Sequence, residues 1–385
     1  MTYSVPSMSE ITKVKGTNGF KVVSTFSGCG GVCLGLEMAG YEVLWANEFI
    51  EAARDTYKEN HPGVILTGED IRTIKGKDIL EAIGLERGEL DLLEGSPPCA
   101  SFSTAGSLDK GWGRVKTYSD SAQRSDDLFF EYSRIIEELY PKVFIAENVS
   151  GLVKGKAIGY FKEILRDLKS KGYTVEARLL DASYLGVPQA RQRLIFVGVR
   201  NDLVEEFGVK PVFPKPVNAR YVLRDITGDV TRDVTRDVTG DVTGDVTGDK
   251  PVVLGDPESY KDEETGHEIG LAKYAVGKEW DNTPIGGSSE KYFQLVRPAL
   301  DKPVGTITAT AGVVGAASIA HPTEKRKFNL KELRALQSFP EDFILTGSYQ
   351  QRAERIGRSV PPLMAKAVGE TVRKEILEKI NARSR

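Results

Sequence analysis

Between Lys21 and Arg200, short apolar runs alternate with stretches in which apolar residues recur at i, i+3 and i+4. "KVVSTF" (21–26), "YEVLWANE" (41–48), "VILTGEDI" (64–71), "ELDLLEG" (89–95), "PKVFIAENV" (141–149), "TVEARLLDA" (174–182) and "RLIFVGVR" (193–200) have the length and β-branched content of strands. The intervening "GVCLGLEMAG", "FIEAARDTYKENH", "SDDLFFEYSRIIEELY" and "AIGYFKEILRDLKSKG" carry helical spacing. This βαβα rhythm predicts an α/β fold with a mostly parallel sheet covered on both faces.

Beyond Arg200 the rhythm stops. Residues 201–327 are richer in proline, glycine and short β-like pieces such as "KPVGTITATAGVV". Within them a four-residue repeat (DITG, DVTR, DVTR, DVTG, DVTG, DVTG) runs from Asp225 and closes on Asp249. Glycine-rich metal-binding coils have longer periods, so residues 225–249 read as a low-complexity surface insertion and no metal is expected. Helical pattern returns at "NLKELRALQSF" (329–339) and "PPLMAKAVGETVRKEILEKI" (361–380). The expected organisation is therefore a domain over 1–200, a second over 201–327, and C-terminal helices over 328–385 that fold back onto the first.

A chain of 385 residues can bury such a core without staples. Three cysteines without paired spacing argue against a disulfide framework and for a reducing compartment. No apolar run approaches the roughly 20 residues of a membrane span, and the N-terminus lacks a signal-peptide pattern. The expected setting is cytoplasmic, with no membrane partner. A formal charge of −3 leaves room for a basic cleft.

Candidate chemistry gathers at strand ends. "STFSGCGGVCLGLEMAG" follows the first strand, and Gly28, Gly30 and Gly31 permit a tight turn and close approach of a ligand to a helix N-terminus. Glu48 ends the second strand, where an acid in such folds binds ribose hydroxyls, and Asp70-Ile71 ends the third. An adenosine-containing cofactor fits this pattern, and the missing P-loop sequence argues against a nucleotide hydrolase. "EGSPPCASFS" (94–103) sets Cys99 on two stiff prolines, presented rather than packed. A long loop with Lys110, Trp112, Arg114 and Lys116 follows, suited to closing over a polyanion. Glu147 ends the next strand in "AENV". Gln189, Arg191 and Arg193 alternate, so on one strand their side chains share a face at the crevice, an exposed edge strand being the plainer alternative.

Cysteine after Ser-Pro-Pro, then Glu-Asn-Val, then Gln-x-Arg-x-Arg, behind a Phe-Ser-Gly-Cys-Gly-Gly loop, resembles the DNA cytosine-5 methyltransferase family. "RALQSFPEDF" (334–343) and "GRSVPPLMAKAVGE" (357–370) resemble its last two blocks, and Thr306-Ile307 resembles a signature of its target recognition domain. The resemblance implies a Rossmann-like class I S-adenosylmethionine-dependent methyltransferase fold with a smaller, irregular β-rich recognition domain. It implies double-stranded DNA as substrate and a target cytosine flipped from the duplex. Cys99 would add to cytosine C6, making C5 nucleophilic toward the methyl of S-adenosylmethionine. Glu147, near its protonated state, would hold the ring N3 and exocyclic amine, Arg193 the base O2, and Arg191 the loop, with Gln189 and Asn148 beside them. Ser103, Arg124 and Thr306 would face DNA. Phe26, Ser27, Gly28, Gly30, Gly31, Glu48, Asp70, Ile71, Pro98, Leu128, Arg358, Ser359 and Val360 would line the cofactor pocket. A monomer in a prokaryotic or viral setting is expected, and a cognate restriction endonuclease is compatible with this reading without being implied by it.

Two positions depart from the family pattern. Ala100 replaces a common Gln and touches no chemical step. Arg358 replaces a common Asn where the cofactor's sulfonium end is expected. It would point away, weaken S-adenosylmethionine binding, or pair with the carboxylate of carboxy-S-adenosylmethionine to give 5-carboxymethylcytosine. A tRNA cytosine-5 methyltransferase on the same scaffold and a catalytically silent DNA-binding relative are the alternative readings. The long 201–327 segment disfavours the first, and intact Cys99, Glu147 and Arg193 disfavour the second.

Overall fold

A computed structural model describes residues 3–98, 115–117, 122–124, 127–217, 220–227 and 260–383. Helix α1 (Met8–Val14), with a Ser7/Glu10 capping box, precedes β1 (Lys21–Thr25), α2 (Gly31–Met38), β2 (Glu42–Asn47), α3 (Glu51–Asn60), β3 (Ile65–Thr67), α4 (Gly76–Ile83) and β4 (Leu92–Gly95). Strands β5 (Val115–Thr117) and β6 (Ala122–Arg124) form a separate antiparallel ribbon. Then come α5 (Leu128–Leu139), β7 (Val143–Val149), α6 (Ile158–Ser170), β8 (Tyr173–Asp181), β9 (Gln189–Ala190), β10 (Gln192–Arg200) and α7 (Asn201–Phe207).

Seven strands make one sheet in the order β3-β2-β1-β4-β7-β10-β8. The first five are parallel, and β10 runs antiparallel to both neighbours. Only ten residues separate β8 from β10, too few for a parallel crossover, so the chain must return as a hairpin. Strand order reverses beside β1, which opens a crevice at the carboxyl ends of β1 and β4.

Beyond Phe207 lie α8 (Arg224–Thr227), α9 (Ala275–Asn282), β11 (Val304–Gly305), α10 (Leu330–Leu336), α11 (Tyr349–Arg358), α12 (Pro362–Val372) and α13 (Glu378–Arg383). The single helix expected over 361–380 is interrupted by a π-helical turn at Arg373–Leu377. Helices α1, α4, α7, α8, α9 and α11 lie outside the helical stretches read from the sequence pattern. In α11 the reason is physical: Glu354 and Arg355 are buried beside Ala353 and Ile356, so the inward face carries charge and apolar periodicity is thin. Among the described residues no helix is long and apolar enough to cross a membrane.

One side of the sheet packs α2 and α12 against Val22, Val43 and Val197, while α5 and α6 cover the other through Leu128, Ile136 and Ile164. A third core joins the outer side of α2 (Leu34, Met38) to Trp280, Leu295, Phe328 and Ile356. Helices α2 and α12 meet at backbone distance. A Cβ on Gly35 would lie 2.3 Å from the Pro362 carbonyl and 2.6 Å from Ala365 Cβ. Gly35→Ala is therefore expected to destabilise the protein by about 1–3 kcal/mol despite alanine's better helix propensity, read as a lower urea midpoint at unchanged slope.

Candidate active site

The crevice opens into a cavity of about 840 Å³, walled by the segments after β1, β2, β4 and β7, by the β9–β10 junction, by residues 293–319 and by the end of α11. The loop after β1 is wound tightly: Phe26 has φ 55° and Gly28 φ 59°. A non-glycine residue in this region marks a backbone held by its surroundings. Gly28 N donates to Glu48 Oε2 and Ile50 N to Glu48 Oε1, each at 2.7 Å. Burial raises the Glu48 pKa, and these backbone donors act against it.

These residues fit an adenosine cofactor. Each Glu48 oxygen keeps a second lone pair for a ribose hydroxyl. Phe26, Phe49, Ile50 and Ile71 supply apolar walls. A Cβ on Gly31 would lie 2.6 Å from the Val360 carbonyl, so only glycine lets the loop and residues 359–360 close around this side. Ser27, Pro98, Arg358, Ser359 and Val360 also line the cavity. Three expected contacts lie elsewhere. Gly30 caps α2 at φ 94° with the His61 ring against it. Asp70 is turned to Arg72 at 3.0 Å, and Leu128 is fully buried in the core at the start of α5.

Beside the glycine loop, Ser96 N donates to the Thr25 carbonyl at 3.4 Å, and Ser96, Pro97 and Pro98 line the cavity just before Cys99 in sequence. Cys99 and Ser103 lie outside the described residues, and Arg124 falls in β6, of which the backbone alone is described. Asn148 Nδ2 donates to the Pro97 carbonyl at 3.3 Å and fixes this segment to β7. Beside it Glu147 Oε1 meets Arg193 Nε at 2.6 Å, an ion pair on the cavity wall with about 14 % and 13 % of the side chains exposed. Burial disfavours the thiolate form of the other two cysteines, although Cys29 touches the cavity wall. Cys29 and Cys33 are buried; burial pushes the Cys29 thiol up to about 11 and that of Cys33 higher still.

Gln189, Arg191 and Arg193 do not share one strand face. Arg191 N donates to the Gln189 carbonyl at 3.0 Å, a three-residue turn that separates β9 from β10. Gln189 is buried off the cavity, accepting from Ile307 N at 3.1 Å and donating to Leu336 O and Gln337. Arg191 is buried too. Its Nη1 donates to the Ile307 carbonyl at 2.9 Å and its Nη2 to the Gly357 carbonyl at 3.0 Å. Burial, then the charge of Arg193, lowers its pKa; the two terminal nitrogens are hydrogen-bonded, while the buried Nε finds no partner among the described residues.

Thr306 lines the cavity and donates to the Ala190 carbonyl at 3.2 Å. Arg358, 43 % exposed, pairs with Glu354 through its Nε at 2.8 Å. Sequence reasoning missed Phe49, Glu94, Phe293 and Arg355, which also line the cavity. Phe293 is 76 % exposed, the most of any large apolar residue described, at the cavity mouth. An aromatic inside the polar run "SSEKYFQ" was its one available signal.

Residues 20–374 match the model of the C-5 cytosine-specific DNA methylase family. The chain is 30% identical over 353 residues to the type II methyltransferase M1.HphI of Haemophilus parahaemolyticus, covering 91% of this chain and 86% of that one. It is 30% identical over 387 residues to the type II methyltransferase M.Eco47II of Escherichia coli, covering 97% and 82%. Among solved structures, a prophage-encoded E. coli protein described as a DNA modification methyltransferase superposes with a TM-score of 0.67 at 20% identity, over 93% of this chain and 99% of that one, a likeness of fold.

Arg191→Ala is expected to strand the Ile307 and Gly357 carbonyls and to empty a buried volume. Stability should fall by about 3 kcal/mol or more, measured by urea unfolding.

Proposed function

Because the chain belongs to the C-5 cytosine-specific DNA methylase family, and is thus an S-adenosylmethionine-dependent DNA methyltransferase, we propose that it methylates a cytosine turned out of duplex DNA into this cavity. The observation that carries the reading is the Glu147–Arg193 ion pair, which shares one cavity with the Ser96–Pro98 wall and the Glu48 loop. A stacked base reaches none of these groups, so the reacting base must leave the helix.

Cys99 is the nucleophile in this proposal, and the buried, protonated state of the other two cysteines supports it. Its thiolate adds to cytosine C6, and the electron pair displaced from the C5–C6 bond makes C5 nucleophilic. Phe26, Ser27, Gly28, Gly31, Glu48, Ile71, Ser359 and Val360 would hold S-adenosylmethionine, which would supply the electrophilic methyl group, the C5–methyl bond forming as the sulfur–methyl bond breaks and S-adenosylhomocysteine leaves. A base then removes the C5 proton, the C5–C6 double bond re-forms, and the thiolate leaves. Glu147 holds N3 and the exocyclic amine, and Arg193 the O2, exchanging part of their mutual contact for the base. Asn148 positions the nucleophile segment through Pro97, and Arg191 positions the wall without touching substrate. Residues 201–327 form the recognition domain; Thr306, with Ser103 and Arg124, faces DNA, and Phe293 stands where a wedge would enter the base stack. That residues of one chain supply every described wall of the cavity supports action as a monomer.

Arg358 bears on cofactor choice. An unpaired guanidinium ~5 Å from a sulfonium would repel it by roughly 3 kcal/mol at an effective dielectric of about 20. The pair with Glu354 offsets that repulsion and favours unmodified S-adenosylmethionine. A carboxylated cofactor is the second reading, supported by Arg358 lining the cavity, and it requires the guanidinium to exchange Glu354 for the cofactor carboxylate.

Expression in cells lacking cytosine modification, with nucleosides identified by mass spectrometry, tests both. The expected product is 5-methylcytosine, lost in Cys99→Ala and reduced about a hundredfold or more in Glu147→Gln. Appearance of 5-carboxymethylcytosine, with the ratio reversed in Arg358→Asn, would assign the cofactor choice to Arg358. Methyl transfer to tRNA alone, or to neither nucleic acid, would overturn the proposal. Phe293→Ala should weaken binding to duplex DNA about tenfold while leaving cofactor affinity within twofold, measured by fluorescence anisotropy and calorimetry.

A further inference from the structure

A carboxyl group sits where the fold calls for an apolar residue. Glu94 lies on β4, between β1 and β7 in a sheet covered on both faces, and is 2 % exposed. Such positions ordinarily read as Val, Ile or Leu, as the preceding Leu92 and Leu93 do. Local exceptions of this kind concentrate at functional positions.

Its partners join the two halves of the cavity. Ser24 Oγ, on β1, donates to Glu94 Oε2 at 2.6 Å and lies 2.8 Å from Ser27 Oγ in the loop after β1. Ser96 Oγ donates to Glu94 Oε1 at 3.3 Å, three residues before Cys99. A second, small cavity of about 20 Å³, the size of one water, has Glu94 and Glu147 as its only polar side chains, set among Val32, Ile145, Met364 and other apolar groups. From the surrounding elements Glu94 meets Cys33 of α2, Tyr57 of α3, Tyr132 of α5 and Glu147 of β7.

We propose that Glu94 is a positioning residue that must carry a proton: its neutral carboxyl group couples the cofactor loop to the nucleophile segment and avoids a second like charge beside Glu147 at the small cavity the two carboxyl groups share. The proposal rests on the function assigned above. Glu94 and Glu147 face one small apolar space, so ionising Glu94 would set two like charges there and disturb the packing of β4 against β7, even though the serine hydroxyls donate more strongly to a carboxylate. Burial raises the Glu94 pKa to about 8, with the charge of Glu147 adding to it and the serine hydrogen bonds opposing it. The sign follows. The neutral form is present below that value and is lost as pH rises through it, so methyl transfer should decline on the alkaline side, whereas stability should fall as pH rises from the ordinary carboxylate value toward about 8 and level off above it.

The test compares kcat from pH 6 to 9.5, on saturating DNA and S-adenosylmethionine, for the parent, Glu94→Gln and Ser24→Ala. The parent should lose about tenfold between pH 7 and pH 9, one unit above the titration, whereas Glu94→Gln, which keeps a neutral hydrogen-bonding group, should lose less than threefold relative to its own pH 7 rate. Ser24→Ala removes a donor that favours the ionised form and should move the alkaline limb upward. Superimposable profiles for the parent and Glu94→Gln would overturn the proposal. Thermal unfolding at pH 6 and pH 9 reads the same proton without catalysis. The melting temperature of Glu94→Gln minus that of the parent should rise by about 3 °C across this range. An unchanged difference would sink the proposal, and absence of cytosine methylation in the parent at every pH would sink the function while leaving this readout standing.

Discussion

The Arg191 guanidinium, taken wholly out of water, fastens together three stretches of chain that are far apart in sequence. A buried cation needs hydrogen bonds to offset its desolvation, and here the two terminal nitrogens reach the carbonyls of Ile307 and Gly357, while Nε is left without a partner among the described residues. The first belongs to the segment that carries Thr306 into the cavity, the second to the end of α11 beside Arg358. Arg191 itself interrupts the strand whose next member holds Arg193 against Glu147. The fork geometry of arginine satisfies two separate carbonyls at once, which a lysine cannot reproduce. The cavity is thus a product of one residue's hydrogen-bonding requirement.

Three carboxyl groups border this space, and their surroundings give each a different character. Glu48 is held by two backbone N–H groups, Glu94 by serine hydroxyls amid apolar side chains, and Glu147 by an arginine. Fixed dipoles, neutral donors and a full positive charge are different electrostatic environments for one functional group. One side-chain chemistry is thus given three different characters in one cavity, through what is packed around each carboxyl group.

Much of the scaffold was readable in advance because it rests on local pattern. The strands of the main sheet and the helices α2, α3, α5 and α6 follow from apolar period, and Glu48, Glu147 and Arg193 follow from their places at strand ends. What stayed hidden depends on tertiary contact. Nothing local to "QARQR" announces that Arg191 must find carbonyls over a hundred residues away, a demand that folds the backbone into a turn and sends Gln189 off the cavity. Gly30 and Gly31 look equivalent in sequence, yet one is shaped by the His61 ring and the other by the Val360 carbonyl. Glu94 hid behind a different difficulty: in a strand it reads as an ordinary polar residue until both sheet faces are known to be covered.

The near contact of α2 with α12 sets when the enzyme comes into being. The glycine loop and the first strands leave the ribosome early, but the surface that Gly31 and Gly35 present stays bare until residues 360–365 have been made. Until then the cofactor side lacks the wall formed by Gly357, Ser359 and Val360. Contacts spanning more than 300 residues form last, so a nascent or truncated chain holds the motifs without the pocket. Competence to modify DNA therefore waits on the closing helix, whatever has folded before it.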